Sequence, residues 1–247
     1  MNNILDHLIG TIAPHICKGC GRAGTTLCHS CFLDIIEGYY RKCILCGAEI
    51  SEETFAKNGN MCAACSRKLP CRKVWVVGER IGTMMHLVDE FKYNSERSSQ
   101  KVISELLDVV VPKVSNSTVV TMIPTAPPHI RERGFDHAQL MAKGFAKRRE
   151  LKFAKLLTRR SFESQHDKNA RERMLLASKM FNISRKFQAR LPQEVLLVDD
   201  IWTTGASTIA ATKLLKSAGV ESVDLAIIAR QVEGVHHRDV VKRKIDK

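Results

Sequence analysis

Two adjacent carboxylates and a turn rich in glycine and hydroxyl groups lie in the segment VLLVDDIWTTGAST, residues 195–208. Its apolar start predicts a buried strand, and α/β folds bind ligands where such strands end. Asp199 and Asp200 can accept hydrogen bonds from vicinal sugar hydroxyls and help to hold a hydrated magnesium ion, although such a pair can also simply cap a helix. The turn opens a helix whose N-terminus can hold a phosphate monoester, and Gly205 is expected to permit its close approach. The predicted phosphate-binding residues are Thr203, Thr204, Gly205, Ala206 and Ser207.

Eight of the nine cysteines form four Cys-x-x-Cys pairs. Two intervening residues let one tight turn direct both thiolates at one ion, and two such turns complete the tetrahedral sulfur site that zinc prefers. We predict two structural zinc ions, held by consecutive pairs rather than in a cross-braced arrangement, with a redox role of the pairs as the alternative. The predicted ligands are Cys17, Cys20, Cys28, Cys31, Cys43, Cys46, Cys62 and Cys65, which leaves Cys71 as an ordinary thiol.

The elements that must position these residues follow Lys73, where strand and helix patterns begin to alternate. Such alternation predicts an α/β fold with a mainly parallel sheet flanked by helices. The predicted organisation is an amphipathic helix over residues 1–16, a cysteine-rich zinc-binding domain over 17–72 and the α/β domain over 73–247. The predicted strands are 74–77, 119–123, 195–198 and 223–228, and the predicted helices are 84–92, 98–111, 138–149 and 207–217.

The chain is strongly basic, with 39 Lys and Arg residues against 26 Asp and Glu residues and a formal net charge of +13. This balance favours polyanionic partners, while the 44% hydrophobic content excludes a disordered chain. Residues 129–190 contain 17 of the basic residues and 6 of the acidic ones. We call this segment the basic block, and it predicts electrostatic binding of single-stranded DNA, with a solvated surface as the alternative.

No apolar run approaches the roughly 20 residues that a transmembrane helix needs, and the N-terminal residues lack the layout of a secretory signal. We therefore expect a cytoplasmic protein with no integral membrane segment and with reduced cysteines. Residues 1–16 are expected to pack on the rest of the protein, with contact to a membrane surface as the alternative.

The segment 195–207 resembles the signature of type I phosphoribosyltransferases, which use phosphoribosyl pyrophosphate (PRPP). The resemblance extends over nearly the whole chain to the ComF/ComFC family of competence proteins, and it implies a phosphoribosyltransferase-like domain behind a double zinc ribbon. Asp136 and His137 depart from the family pattern, which usually has Asn and Gln there, as do Leu176 and Lys179, where Asn and Gly are typical. The other matching segments are the cysteine region, FKYN at 91–94, IPT at 123–125, RERGFDHAQLMA at 131–142 and a segment at 165–181 that ends in KMF.

The resemblance implies that the 5-phosphate of PRPP binds at residues 203–207 and that its ribose hydroxyls bind Asp199 and Asp200, with Mg²⁺ accompanying PRPP. Both carboxylates are candidate catalytic residues, because they would stabilise positive charge that develops at the anomeric carbon. We take His137 and His166 as surface or loop histidines without a role. The candidate cations for pyrophosphate or DNA are Lys92, Arg131, Arg133, Arg171 and Arg173.

Two functions of different class follow from the resemblance. One is a phosphoribosyltransferase with an unidentified acceptor, since no nucleobase-binding hood is recognisable in the sequence. The other is a non-catalytic protein that senses PRPP or binds single-stranded DNA during natural transformation. The expected partners are PRPP, single-stranded DNA and proteins of DNA uptake or recombination.

Overall fold

The computed structural model describes residues 15–93, 99–159 and 180–232. The strands are β1 (Val74–Glu79), β2 (Val119–Met122), β3 (Lys152–Phe153), β4 (Leu157–Arg159), β5 (Phe181–Ile183), β6 (Glu194–Trp202) and β7 (Ser222–Arg230). Five of them form a parallel sheet in the order β1-β7-β6-β2-β3, whereas β4 and β5 form an antiparallel ribbon. The predicted mainly parallel α/β fold is confirmed, and the short strands β3, β4 and β5 were not predicted.

Helices lie on both faces of the sheet and before it. They are α1 (His29–Glu37), α2 (Glu52–Asn58), α3 (Ala63–Ser66), α4 (Gly82–Tyr93), α5 (Ser99–Val110), α6 (Pro127–Arg133), α7 (His137–Arg148) and α8 (Ala206–Ser217). Among the described residues, no helix is both long and apolar enough to cross a membrane. The helix predicted over residues 1–16 falls outside the described residues except at its last two positions.

Alternate residues of the strands pack on opposite faces of the sheet. In β1, Trp75 and Val77 belong to the core beneath α4, α5 and α7, while Val74 and Val76 belong to the core beneath α8. Strands that are apolar on both faces are typical of a parallel sheet covered on both sides. The sheet is therefore a rigid support for whatever lies at the ends of its strands.

The two central strands, β2 and β6, are neighbours that lead into helices on opposite faces. Two helices, α6 and α7, lie between β2 and β3, and α7 packs on one face of the sheet. The helix that follows β6, α8, packs on the other face. Pairing between these strands ends at Met122 and Val198, whereas β6 stays paired with β7 as far as Trp202. Residues 199–202 thus extend past β2 with one edge open. Ligands of doubly wound folds bind in the crevice at such a point.

The cysteine region is joined to the sheet through β1. Gly59 forms a bridge with Val74, and a Cβ atom on Gly59 would lie 2.0 Å from the Val74 carbonyl oxygen. The neighbouring Asn60 side chain accepts a hydrogen bond from the Val76 N–H at 2.8 Å and donates to the Tyr40 carbonyl at 2.5 Å. The boundary predicted near residue 72 stays a prediction, and the chain on either side of it makes close contacts.

Candidate active site and cysteine clusters

A cleft of about 510 Å³ opens at the carboxyl ends of β2 and β6. Asp199 and Asp200, on the open extension of β6, line it together with Thr203 from the turn before α8 and Ser207 from the first turn of α8. The segment from the end of β2 to the start of α7 forms another part of the lining. The structure therefore brings both predicted carboxylates and part of the predicted turn to one cavity.

Asp199 and Asp200 have different surroundings although they are neighbours in sequence. Both carboxylate oxygens of Asp199 accept hydrogen bonds, from the Asp200 N–H at 3.0 Å and from Thr208 Oγ1 at 3.2 Å. Among the described residues, Lys92 and His137 contact Asp200 at Oδ2, and its Oδ1 accepts no hydrogen bond. The Oδ1 atom of Asp200 is thus the carboxylate oxygen that is most available to a ligand hydroxyl.

Two basic side chains converge on Asp200 Oδ2. Lys92 Nζ, near the end of α4, lies 3.0 Å away, and His137 Nε2, at the start of α7, lies 2.6 Å away. His137 is only 4% exposed, and its Nδ1 lies 3.0 Å from Nη1 of Arg133. The expectation that His137 is a surface or loop residue is therefore wrong: it is buried in the wall of the cleft. His166 lies outside the described residues.

The two carboxylates differ in acidity. Burial raises the pKa of Asp199 to about 7, and the nearby charge of Asp200 adds to the rise. Burial acts in the same direction on Asp200, but the charge of Lys92 and the hydrogen bond with His137 outweigh it and hold its pKa well below the ordinary range. Asp200 is therefore a permanent anion, while Asp199 can change its charge near neutral pH.

The turn between β6 and α8 leaves its polar groups accessible. Thr203, Thr204 and Ala206 are exposed at the N-terminus of α8, where the Ala206 N–H donates to Thr204 Oγ1 at 3.4 Å. The N–H groups of a first helical turn have no partner within the helix and favour a bound anion. Gly205 has φ = +74°, and a Cβ atom there would lie 2.2 Å from Cζ2 of the buried Trp202 ring. Backbone conformation and packing on Trp202 therefore require this glycine, and room for a phosphate beside it stays a prediction.

The remaining predicted cations are divided. Arg133 lines the cleft, but it is buried and held by His137, whereas Arg131 is exposed on α6 and is not among the described residues of the lining. Arg171 and Arg173 lie outside the described residues. Of the predicted set, Lys92 is therefore the cation in direct contact with a predicted carboxylate.

Arg159, at the end of β4, is a cleft residue that sequence reasoning missed. Its Nη1 donates to the Pro124 carbonyl at 3.3 Å, and its guanidinium lies 5.7 Å from the centre of the Phe181 ring. Burial lowers the pKa of Arg159, an effect that Asp199 opposes. Nothing but its place in the basic block marked it in the sequence, because β4 and β5 are only three residues each.

The cysteines form two clusters, and within each the Sγ atoms lie within 4.8 Å of one another. Two Sγ contacts between pairs, Cys20 to Cys28 at 3.7 Å and Cys46 to Cys62 at 3.8 Å, match the edge of about 3.8 Å of a tetrahedron with Zn–S bonds of about 2.3 Å. These two thiol sets could each hold a zinc ion. Consecutive pairing is confirmed, since the clusters are Cys17, Cys20, Cys28 and Cys31, and Cys43, Cys46, Cys62 and Cys65.

The first thiol of each cluster is surrounded by backbone donors. Burial alone would raise the pKa of Cys17, but N–H groups of the turn and of Cys28 outweigh it and lower the pKa to about 6. The pKa of Cys43 is lowered to about 7 in the same way. Cys71 belongs to neither cluster, and burial raises its pKa to about 12. The first thiol of each cluster therefore forms a thiolate more readily than an ordinary cysteine, and Cys71 is a buried, protonated thiol.

Comparisons with known proteins match the domain that contains the cleft residues of β6 and α7. The family model of the phosphoribosyl transferase domain matches residues 130–247. The chain is 27% identical to competence protein ComFC of Streptococcus pneumoniae over 147 residues, 60% of this chain and 63%, less than two thirds, of that relative. It is 24% identical to competence protein F of Haemophilus influenzae over 213 residues, 83% of this chain and 90% of that relative.

A crystal structure of adenine phosphoribosyltransferase is 14% identical with a TM-score of 0.32, covering 84% of this chain and 93% of that one, a likeness too low to bear on the fold. The likeness to a phosphoribosyl transferase domain rests on the sequence match, because the matched residues include the β6 extension, the turn and His137. The chain is therefore similar to competence proteins ComFC and F, matches the phosphoribosyl transferase domain over residues 130–247, and has two cysteine clusters that fit a double zinc ribbon.

Proposed function

We propose that this protein binds PRPP with magnesium in the cleft and transfers the phosphoribosyl group to an acceptor. The observation that carries the proposal is the state of Asp200: an anionic carboxylate, held at Oδ2 by Lys92 and His137, whose Oδ1 is left for a ligand. A helix N-terminus with accessible hydroxyls lies at the same cleft. PRPP offers the complementary groups, since it carries vicinal ribose hydroxyls and a 5-phosphate on one sugar.

The expected pose follows from these two anchors. The 5-phosphate lies against residues 203–207, and the ribose hydroxyls donate to Asp200 Oδ1 and to the remaining lone pairs of Asp199. The pyrophosphate then extends toward the other lining groups, where Arg159 has donors besides the Nη1 that contacts Pro124. Arg159 therefore joins Lys92 as a candidate for the anionic leaving group.

Catalysis in this pose is electrostatic. Loss of pyrophosphate leaves positive charge near the anomeric carbon, and the fixed negative charge of Asp200 stabilises it without forming a covalent bond. Asp200 suits this role because its low pKa keeps it ionised at any physiological pH. Lys92 and His137 prevent its carboxylate from rotating as charge develops.

The carboxylates and hydroxyls of the lining offer oxygen atoms, which are the ligands that a hard cation such as magnesium prefers. Asp199, partly exposed at the cleft, is the residue that would hold the hydrated ion through its water shell. When bound with PRPP, magnesium neutralises pyrophosphate charge and so assists departure of the leaving group. The protein residues supply the sugar and phosphate contacts.

Isothermal titration calorimetry with PRPP and magnesium tests the proposal. The wild-type protein is expected to bind, and both ribose 5-phosphate and pyrophosphate are expected to compete, because each occupies part of the pose. No heat with PRPP and no competition would contradict it. Assays for pyrophosphate release with a panel of nucleobases then separate a transferase from a PRPP sensor, since a sensor binds without turnover.

A second candidate function, binding of single-stranded DNA, is supported by exposed cations on α7 and β3. Lys143, Lys147 and Lys152 are exposed in this part of the basic block. With the names of the relatives, they support a cytoplasmic role in DNA uptake during natural transformation, alongside other uptake or recombination proteins. The affinity for an oligonucleotide should fall steeply with salt. For each phosphate contact, the logarithm of the association constant should fall by about 0.7 for every tenfold increase in salt concentration.

Charge reversal locates this surface. Lys143→Glu with Lys147→Glu should reduce oligonucleotide binding and the salt slope, because two phosphate contacts are lost. The matched control is Lys213→Glu with Lys216→Glu, which reverses the same number of exposed charges on α8, beyond the opposite face of the sheet. Equal losses of oligonucleotide affinity from both changes, or an affinity that does not depend on salt, would indicate that the basic block is a solvated surface and does not bind DNA.

A further inference from the structure

We propose that His137 is a positioning residue for Asp200 and acts as a neutral imidazole with the hydrogen-bonding pattern of a glutamine amide. The contacts that support this role lie within the protein and involve no ligand. Its consequence for ligand affinity rests on the proposed PRPP site. The inference gives a role to a side chain that lies between two charged groups, Arg133 and Asp200.

The contacts of His137 select one tautomer. Arg133 has donors and no acceptor, so its Nη1, 3.0 Å from His137 Nδ1, requires a lone pair on that nitrogen. The ring proton is then on Nε2, which lies 2.6 Å from Asp200 Oδ2 and donates to it. A doubly protonated ring would place an N–H group of His137 against an N–H group of Arg133. The arrangement therefore keeps the imidazole neutral.

Burial makes this arrangement specific. His137, Arg133 and Asp200 are 4%, 8% and 7% exposed, so little room is left for water to replace a lost contact. The ring of Phe91 meets the imidazole edge-on, with the centroids 6.1 Å apart and the planes at 79°. Packing and two hydrogen bonds thus fix the orientation of the imidazole.

The start of α7 is also fixed. Asp136, the N-cap of α7, accepts hydrogen bonds at Oδ1 from the Gln139 N–H at 3.2 Å and from Thr125 Oγ1 at 2.9 Å. The neighbouring His137 is therefore carried by an anchored helix terminus. The imidazole reaches Asp200 from a defined direction, which a flexible lysine alone would not provide.

Two donors on one carboxylate oxygen determine where the other oxygen points. With Lys92 and His137 both on Oδ2, Oδ1 is left as the ligand acceptor. A glutamine at position 137 could do the same, because its carbonyl oxygen accepts from Arg133 and its NH₂ group donates to Asp200. A leucine has similar bulk and offers neither group.

The test compares His137→Gln with His137→Leu, using His86→Gln and His86→Leu as matched controls on α4, away from the cleft lining. In calorimetry with PRPP and magnesium, His137→Gln should stay within about threefold of wild type and His137→Leu should bind at least about tenfold more weakly. The His86 variants should bind as wild type does. Equal binding by both His137 variants would overturn the inference.

A second measurement does not depend on PRPP. Nitrogen-15 NMR of labelled wild-type protein should show His137 as the neutral tautomer with its proton on Nε2 at pH 7. A proton on Nδ1, or on both nitrogens, would overturn the inference. If the wild-type protein gives no heat with PRPP, the proposed function fails while this spectrum still decides the role of His137. If the leucine variant does not fold, His137→Met replaces it.

Discussion

The ring of Trp202 occupies the space beside Gly205 that a side chain would need, with Cζ2 2.2 Å from the position of a Cβ atom. Trp202 ends β6 and is 2% exposed, while Gly205 caps α8. The contact ties the end of the strand to the start of the helix. The shape of the turn that we assign to phosphate is therefore set by packing in the core as well as by its own sequence.

Gly205→Ala should destabilise the protein by about 3 kcal/mol or more, because the ring of Trp202 has to move and the backbone is left-handed. Gly134→Ala is a matched control: Gly134 has φ = +73° and ψ = 1°, against +74° and 2° at Gly205, and no atom lies within 4 Å of its Cβ position. It should cost only about 1 kcal/mol. Urea denaturation measures both, and similar losses would show that Trp202 contributes nothing to the requirement.

Lys92 and Asp200 should be energetically coupled. Asp200→Asn removes the negative charge beside a largely buried ammonium group and should cost about 3 kcal/mol, and Lys92→Met leaves a buried carboxylate with one donor fewer. The double variant should lose less than the sum of the two by at least about 1 kcal/mol. The more exposed pair Arg148 and Glu105 is the control, with an expected coupling below about 1 kcal/mol. Additive losses at the cleft would contradict the network.

Asp199 should make stability depend on pH. Its pKa is about 7 in the folded protein, against 3.8 as the ordinary value, so the folded state binds more protons between these values. This contribution to the free energy of unfolding therefore falls as pH rises from about 4 to about 7. Asp199→Asn removes it, so the variant should gain on wild type over that interval, by up to about 4 kcal/mol. Urea denaturation at each pH measures both proteins. A difference in their free energies of unfolding that stays constant from about pH 4 to about pH 7 would contradict the shift.

Local patterns predicted the sheet and both cysteine clusters well. Neighbouring residues are enough to predict the strand at 195–198, from its apolar run, and the start of α8, from the glycine before it. The two-residue spacing of the cysteines is likewise enough to predict which thiols share a turn. Contacts between residues far apart in the sequence could not be predicted from such patterns. His137 and Asp200 are 63 residues apart, and the packing of α7 against the end of β6 brings them together. The same geometry explains how a histidine serves where the ComF/ComFC pattern usually has glutamine.

Zinc content should follow the clusters. Purified wild-type protein should contain two zinc ions per chain, and Cys46→Ser should contain one, because the exposed Cys46 belongs to the second cluster. Cys71→Ser is the control that should retain two, since Cys71 is buried outside both clusters. Elemental analysis of the three proteins is sufficient. Loss of zinc from Cys71→Ser, or two ions in Cys46→Ser, would contradict the assignment.

A crystal structure of the wild-type protein with PRPP and magnesium would show whether the cleft binds PRPP in the proposed pose. The account predicts the 5-phosphate against residues 203–207 and a ribose hydroxyl within hydrogen-bonding distance of Asp200 Oδ1, with Oδ2 still held by Lys92 and His137. A ligand bound elsewhere on the chain, or a cleft that stays empty at saturating PRPP, would contradict it.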